Sequence, residues 1–250
     1  MMIMIYLNAK NLVLASAVAI CAATPSLSQA LPDLDLGSFH PIFGVDAQAR
    51  RMEFQDGFGD NLWKQNYPQA NLYAGLRFGS YFGLVVGHEN SKTKTQTVTL
   101  DNSEIFLGAP VGAGAGSETF RGSSDIKGTY AQLMGYYPIP FLKATEVFLG
   151  VGAIHNKIRL EHQTLAVNNA PILPNLAGGE YFNYQESDTH AKVEVGIQKI
   201  ICNHFGLRAV FGWEKTSAFK NLKPVQFPNA TRNVNLNDSW TAGAGFFWVF

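Results

Sequence analysis

The chain is short of cysteine: two in 250 residues. Cys21 falls in a segment that reads as a cleaved leader, so the rest of the chain keeps one thiol, Cys202, and no intrachain disulfide is expected. Charge is also scarce and balanced, with 19 Lys and Arg against 19 Asp and Glu, 15% of the residues together. Such a surface carries no broad field for nucleic acid. Beyond the leader there is no apolar run of about twenty residues, which excludes a transmembrane helix there. The six histidines and Cys202 lack zinc-ligand spacing. The Gly112–Gly116 run lacks the lysine and the strand-to-helix context of a phosphate loop. No cofactor and no metal are expected. Asn229-Ala230-Thr231 matches a glycosylation triplet and nothing more.

The first thirty residues have the layout of an export leader. Lys10 is their only charge, Leu12 to Ala23 is apolar, and Pro25 precedes the small-residue exit Ser28-Gln29-Ala30. Residues 1–30 are expected to be a signal peptide cut after Ala30, and 31–250 a single domain. The bulky Ile20 before Cys21 argues against lipidation.

What the sequence does contain is alternation. In Trp240 to Phe250, the residues Trp240, Ala242, Ala244, Phe246, Trp248 and Phe250 share one face, while Thr241, Gly243 and Gly245 share the other. The apolar face carries aromatics towards both ends, as a lipid-facing strand does at the two membrane–water interfaces. Seven further stretches alternate in the same way. One begins near Ile42, with Phe43, Val45, Ala47 and Ala49 outward. Another covers about Ala70 to Phe78, with Leu72, Ala74 and Leu76 outward. The others centre on Leu84, Ala131, Leu149, Val195 and Ala209.

Eight strands result, joined alternately by short and long connections. The short ones lie near 79–81, 138–144 and 201–205, and the long ones near 54–69, 90–125, 156–188 and 215–237. A soluble sandwich has no reason to keep its long connections at one end. The expected fold is all-β: an eight-stranded antiparallel up-and-down transmembrane β-barrel.

This pattern, with the closing Trp248-Val249-Phe250, resembles the small eight-stranded bacterial outer-membrane barrels, the OmpX-like proteins and the OmpA-like barrel domain, over about 40–250. The resemblance implies a monomer in the outer membrane of a Gram-negative-type bacterium, surrounded by lipid and lipopolysaccharide. It also implies that Trp248 and Phe250 belong to a terminal signal read by the barrel-assembly machinery.

Eight strands enclose only enough space for side chains. The inward set includes Asp46, Arg50, Arg77, Glu89, Glu146, Lys192, Glu194, Arg208 and Glu214. Buried charges of both signs must pair, so a lumen plugged by an internal charge network is expected. The role expected is structural or adhesion-like, with an extracellular ligand met through the loops. The alternatives are a small channel for ions or small apolar solutes, and a lipid A-modifying enzyme. The enzyme is disfavoured because His88, His155 and His190, read as near the outer rim, have Asn90, Lys157 and Lys192 at i+2, not serine. The 90–125 and 156–188 connections are expected to form a protruding sheet, with Thr93, Thr95, Thr97 and Thr99 on one face.

Overall fold

In a computed structural model, the described residues are 38–54, 62–101, 105–106, 109–110, 116–167, 170–171, 181–202, 204–219 and 234–250. The leader, the Gly112–Ala115 part of the glycine-rich run and Asn229–Thr231 lie outside them.

Eight long strands form the architecture: β1 (Phe39–Arg51), β2 (Asn66–Phe78), β3 (Phe82–Ser91), β4 (Ser117–Pro138), β5 (Thr145–Val167), β6 (Tyr181–Cys202), β7 (Phe205–Glu214) and β8 (Ser239–Val249). Each pairs antiparallel with its neighbour in sequence, and β8 pairs with β1 from Ile42↔Val249 to Arg51↔Trp240, which closes the ring. Closure leaves no backbone edge in the barrel wall.

The register fixes the geometry of the ring. Following cross-strand partners, Thr189 meets His155, Thr129, His88, Leu72, Val45, Phe246 and Leu207, then returns to β6 at Lys199, ten residues on. A stagger of ten over eight strands tilts them by about 40° from the axis, at a rise of about 3.3 Å per residue and a spacing of about 4.8 Å.

Burial alternates with period two. On β1, Phe43, Val45, Ala47 and Ala49 are exposed, while Gly44, Asp46, Gln48 and Arg50 are buried. The same inside–outside division holds on β2 and β7. Leu72, at the middle of β2, is 64% exposed, and Leu133 on β4 is 69% exposed. At the tilt above, the apolar outward face of β2 from Phe78 to Pro68 is about 25 Å tall.

Aromatic pairs ring one end of this band: Phe39–Phe78 at 5.4 Å, Phe43–Trp248 at 4.9 Å and Phe205–Trp248 at 5.1 Å between ring centres. At the other end Trp240 packs on Phe211 at 5.5 Å and is the register partner of Trp213.

Three strands run far past the band. In the long connections near 90–125 and 156–188, expected to form a protruding sheet, β4, β5 and β6 continue as strands of 22, 23 and 22 residues. After a break at Lys92–Thr93, Lys94–Asp101 continues β3 and pairs with Ser117–Ser124 of β4. Thr93 lies in the break; Thr95, Thr97 and Thr99 share an exposed face. Cross-strand hydrogen bonding sets the start of β4 at Ser117, within the 90–125 connection. Strand β2 likewise starts at Asn66, earlier than the alternation suggested, because Asn66–Gln69 pair with Gln48–Arg51.

Candidate functional site: a charged lumen beneath an apolar cap

All nine inward charges of the sequence reading point into the lumen and are buried. They fall in three layers. At the end carrying the tight turns, Arg77 donates Nη1 and Nη2 to the two oxygens of Glu146 at 2.6 and 2.7 Å, Gln198 donates to Glu146, and the Tyr136 ring lies 4.3 Å from the guanidinium. In the middle, Arg208 grips Asp46 with Nε at 2.8 Å and with Nη2, and stacks on Tyr73 at 4.0 Å. Asn71 Nδ2 gives Asp46 a further bond at 3.0 Å.

The layer nearest the long connections is the densest. Arg50 Nη2 lies 2.6 Å from both Glu89 and Glu214. Lys192 Nζ lies 2.6 Å from Glu89, 3.0 Å from Glu214 and 3.2 Å from Glu194. Asn156 donates to Glu214 at 2.8 Å. Cations from β1 and β6 thus meet carboxylates from β3, β6 and β7, which ties strands across the ring as well as around it. Bonds of this charge-assisted kind are the strong ones, and removing one partner leaves the other charge stranded out of water.

Rings and glycines fill the remaining space. Tyr73, Tyr130, Met134, Tyr136, Phe148, Val210 and Phe247 form a buried cluster. A Cβ on Gly87 would sit 2.4 Å from the Tyr130 ring, and one on Gly206 2.4 Å from Phe247. Those glycines let large rings cross the lumen against the facing backbone.

Above the charges lies a second core that the alternation did not reveal. Met52, Phe54, Leu62, Trp63, Tyr67, Leu100, Phe120, Ile126, Ile158, Leu160, Tyr184, Phe219, Val234 and Leu236 are all buried together. Trp63 Nε1 donates to the Glu161 carbonyl at 2.9 Å, and Phe54 forms a bridge with Leu236. Residues from the 52–67 and 216–236 connections therefore pack against the inner faces of β4, β5 and β6. The only sequence signal was a scatter of large apolar residues in otherwise polar connections.

Comparison with known proteins gives structural neighbours only. No family model and no curated protein matches the chain. Among solved structures it is similar to the outer membrane protein OprG of Pseudomonas aeruginosa, at 10% identity and a TM-score of 0.44, over 85% of this chain and 95% of that one. It is similar to Ail, the attachment invasion locus protein of Yersinia pestis, in complex with sucrose octasulfate, at 14% identity and 0.42, over 84% and 99%. Neisserial surface protein A gives 13% and 0.41, over 85% and 97%. The barrel described above stands on its own strand register.

The histidines separate. His88 and His155 face outward, with Nδ1 3.1 Å from Thr129 Oγ1 and 2.9 Å from Thr189 Oγ1. His190, read as near the outer rim, is instead buried inside, its Nε2 3.0 Å from Asn156 Nδ2 and 3.9 Å from Glu214; it shares the inward parity of Lys192. Ser239 is the register partner of Glu214, but its buried hydroxyl bonds no histidine. No nucleophile–histidine–carboxylate chain is assembled among the described residues.

The closing residues are tied on both flanks. Phe250 N donates to Pro41 O at 3.0 Å, His40 Nδ1 donates to Phe250 O at 2.7 Å, and Val249 N donates to His204 O at 2.8 Å. Trp248 and Phe250 both stack on Phe43.

Proposed function

We propose that this chain is exported by its leader, cut after Ala30, and resides in the outer membrane of a Gram-negative-type bacterium as a closed, non-conducting barrel that holds a surface-exposed sheet for interaction. The observation that carries this reading is the exposed apolar band, about 25 Å tall, between two sets of aromatic residues. That height matches the hydrocarbon layer crossed by outer-membrane barrels, and water is a poor solvent for so continuous an apolar surface. The roles given to Trp248 and Phe250 in assembly, and to surrounding lipid as partner, belong to the same reading.

Two features support a sealed lumen: the three charge layers, and the apolar core stacked on them. On this reading ions are offered neither a continuous water column nor a free charged ring. The threonine-bearing face of the β3 extension and the long β4–β6 sheet support an adhesion-like role, since loops and ribbons on a rigid scaffold carry recognition.

A narrow channel is the second reading, favoured by buried polar atoms without hydrogen-bond partners: both amide atoms of Gln132, Arg50 Nε and Thr241 Oγ1. Planar-bilayer recording of the purified chain decides between them. A silent membrane is expected, and discrete conductance steps from the folded protein would overturn the sealed-lumen reading. Deleting residues 94–124 together with 158–187 should abolish binding to outside surfaces; unchanged binding would overturn the interaction role.

A further inference from the structure

One part of the outer wall is built against its own electrostatics. Lys127 on β4 and Lys157 on β5 are direct cross-strand partners, both exposed on the outward face. Like charges directly opposite on one face destabilise a sheet. The outward ion pair nearby is Arg159–Glu161; among the described residues, neither lysine joins an ion pair.

The two lysines line a groove of about 600 Å³ with His88, Thr129, His155 and Ser187, and Glu186 also lines it. In both imidazoles Nδ1 is engaged by a threonine hydroxyl, so each ring is held in place beside the lysines. Position matters as much as charge. Two residues along β4 and β5 from His88's partner row, the outward face becomes Ala131 and Ala153, which are register partners in the apolar band. The groove therefore sits where the hydrocarbon band ends and lipid head groups begin.

We propose that this groove binds a phosphate group of the phosphorylated glycolipid of the outer leaflet. The inference rests on the outer-membrane reading and adds to it a defined site. A phosphate between Lys127 and Lys157 converts a repulsive pair into two charge-assisted contacts, with the Ser187 hydroxyl and the imidazoles as further polar partners. The acyl chains of the same molecule then run down over Ala131, Ala153, Leu133 and Val151. A soluble anion could satisfy the charges, but it could not use this adjoining apolar wall.

The test uses the full folded chain in detergent micelles, with diphosphorylated lipid A and the same lipid A after phosphatase treatment as probes, read by native mass spectrometry. The K127Q/K157Q variant should bind diphosphorylated lipid A roughly a hundredfold more weakly than wild type, the loss of two charge-assisted contacts. Dephosphorylated lipid A should not distinguish the two proteins. K199Q, an outward lysine at the opposite end of the band, should bind as wild type does. In detergent alone, K127Q/K157Q should unfold at a higher temperature than wild type, because the repulsion is gone, and should gain less on adding lipid A. Equal binding by the variant, an equal loss in K199Q, or full competition by millimolar inorganic phosphate would overturn the proposal. Failure of the membrane reading itself would show separately, as a wild-type chain that stays folded and soluble without detergent.

Discussion

Replacing Arg50 by glutamine probes the lumen most sharply. Arg50 Nη2 is 2.6 Å from Glu89 and 2.6 Å from Glu214, and all three side chains are at most 1% exposed. Without the guanidinium, Lys192 alone faces Glu89, Glu194 and Glu214. Breaking one partner from a buried ion network costs roughly 3–5 kcal/mol. Summing two charge-assisted hydrogen bonds at roughly 1.5–3 kcal/mol each gives a similar range. R50Q is therefore expected to lower the urea-unfolding free energy in micelles by about 3–5 kcal/mol, followed by heat-modifiable gel mobility and tryptophan fluorescence. R50Q/E89Q should recover at least half of that loss, since it removes the stranded carboxylate, and the coupling from the double-mutant cycle should exceed about 1 kcal/mol. An R50Q barrel within about 1 kcal/mol of wild type, or losses that simply add in the double variant, would refute the claim that these charges work as one network.

Other perturbations test other layers of the account. A methyl group on Gly87 meets the Tyr130 ring at 2.4 Å, so G87A should destabilise the barrel by roughly 1–3 kcal/mol, and Y130L in the same chain should restore most of it in the same unfolding assay. W63A removes the centre of the apolar cap and should cost roughly 3–5 kcal/mol, with faster amide exchange at 158–162 and little change in β1. In the protruding sheet, partial burial and then the nearby Asp188 raise the Glu186 carboxyl above its ordinary 4.5. A raised folded-state pKa means the carboxylate is disfavoured in the fold, so the stability contributed by the protonated side chain is present at low pH and lost as pH rises through that value. Amide exchange near 183–188 should accordingly quicken as pH rises above about 4.5, once intrinsic exchange is normalised, and E186Q should remove that step.

Much of the barrel was legible because a strand repeats every two residues, and apolar residues outside with charge inside make the repeat visible. Phe43, Val45 and Ala47 against Gly44, Asp46 and Gln48 is enough to orient β1. The charged lumen residues followed from the same parity, although their places around the ion pairs did not. Pairing partners depend on register and stagger, which link Arg50 to Glu214 across 164 positions of sequence. Strand ends were less readable: above the band the outer face turns polar and the apolar residues, Phe120, Ile126, Ile158 and Leu160 among them, move to the inner face, so β4, β5 and β6 lose the lipid-facing signature while keeping their hydrogen bonds. The apolar cap escaped for a related reason. Met52, Trp63, Phe219 and Leu236 stand in irregular segments with no period, and only the closed ring brings them together.

The central claim is that the alternating apolar residues face hydrocarbon. Spin labels at single cysteines along β2, at Leu72, Tyr73, Ala74 and Gly75 in a chain lacking Cys202, test it directly after reconstitution into bilayers. Collision rates with oxygen and with a water-soluble nickel chelate should alternate, the labels at 72 and 74 meeting oxygen and shunning nickel. Labels at 72 and 74 that meet nickel as freely as a surface site would contradict the account.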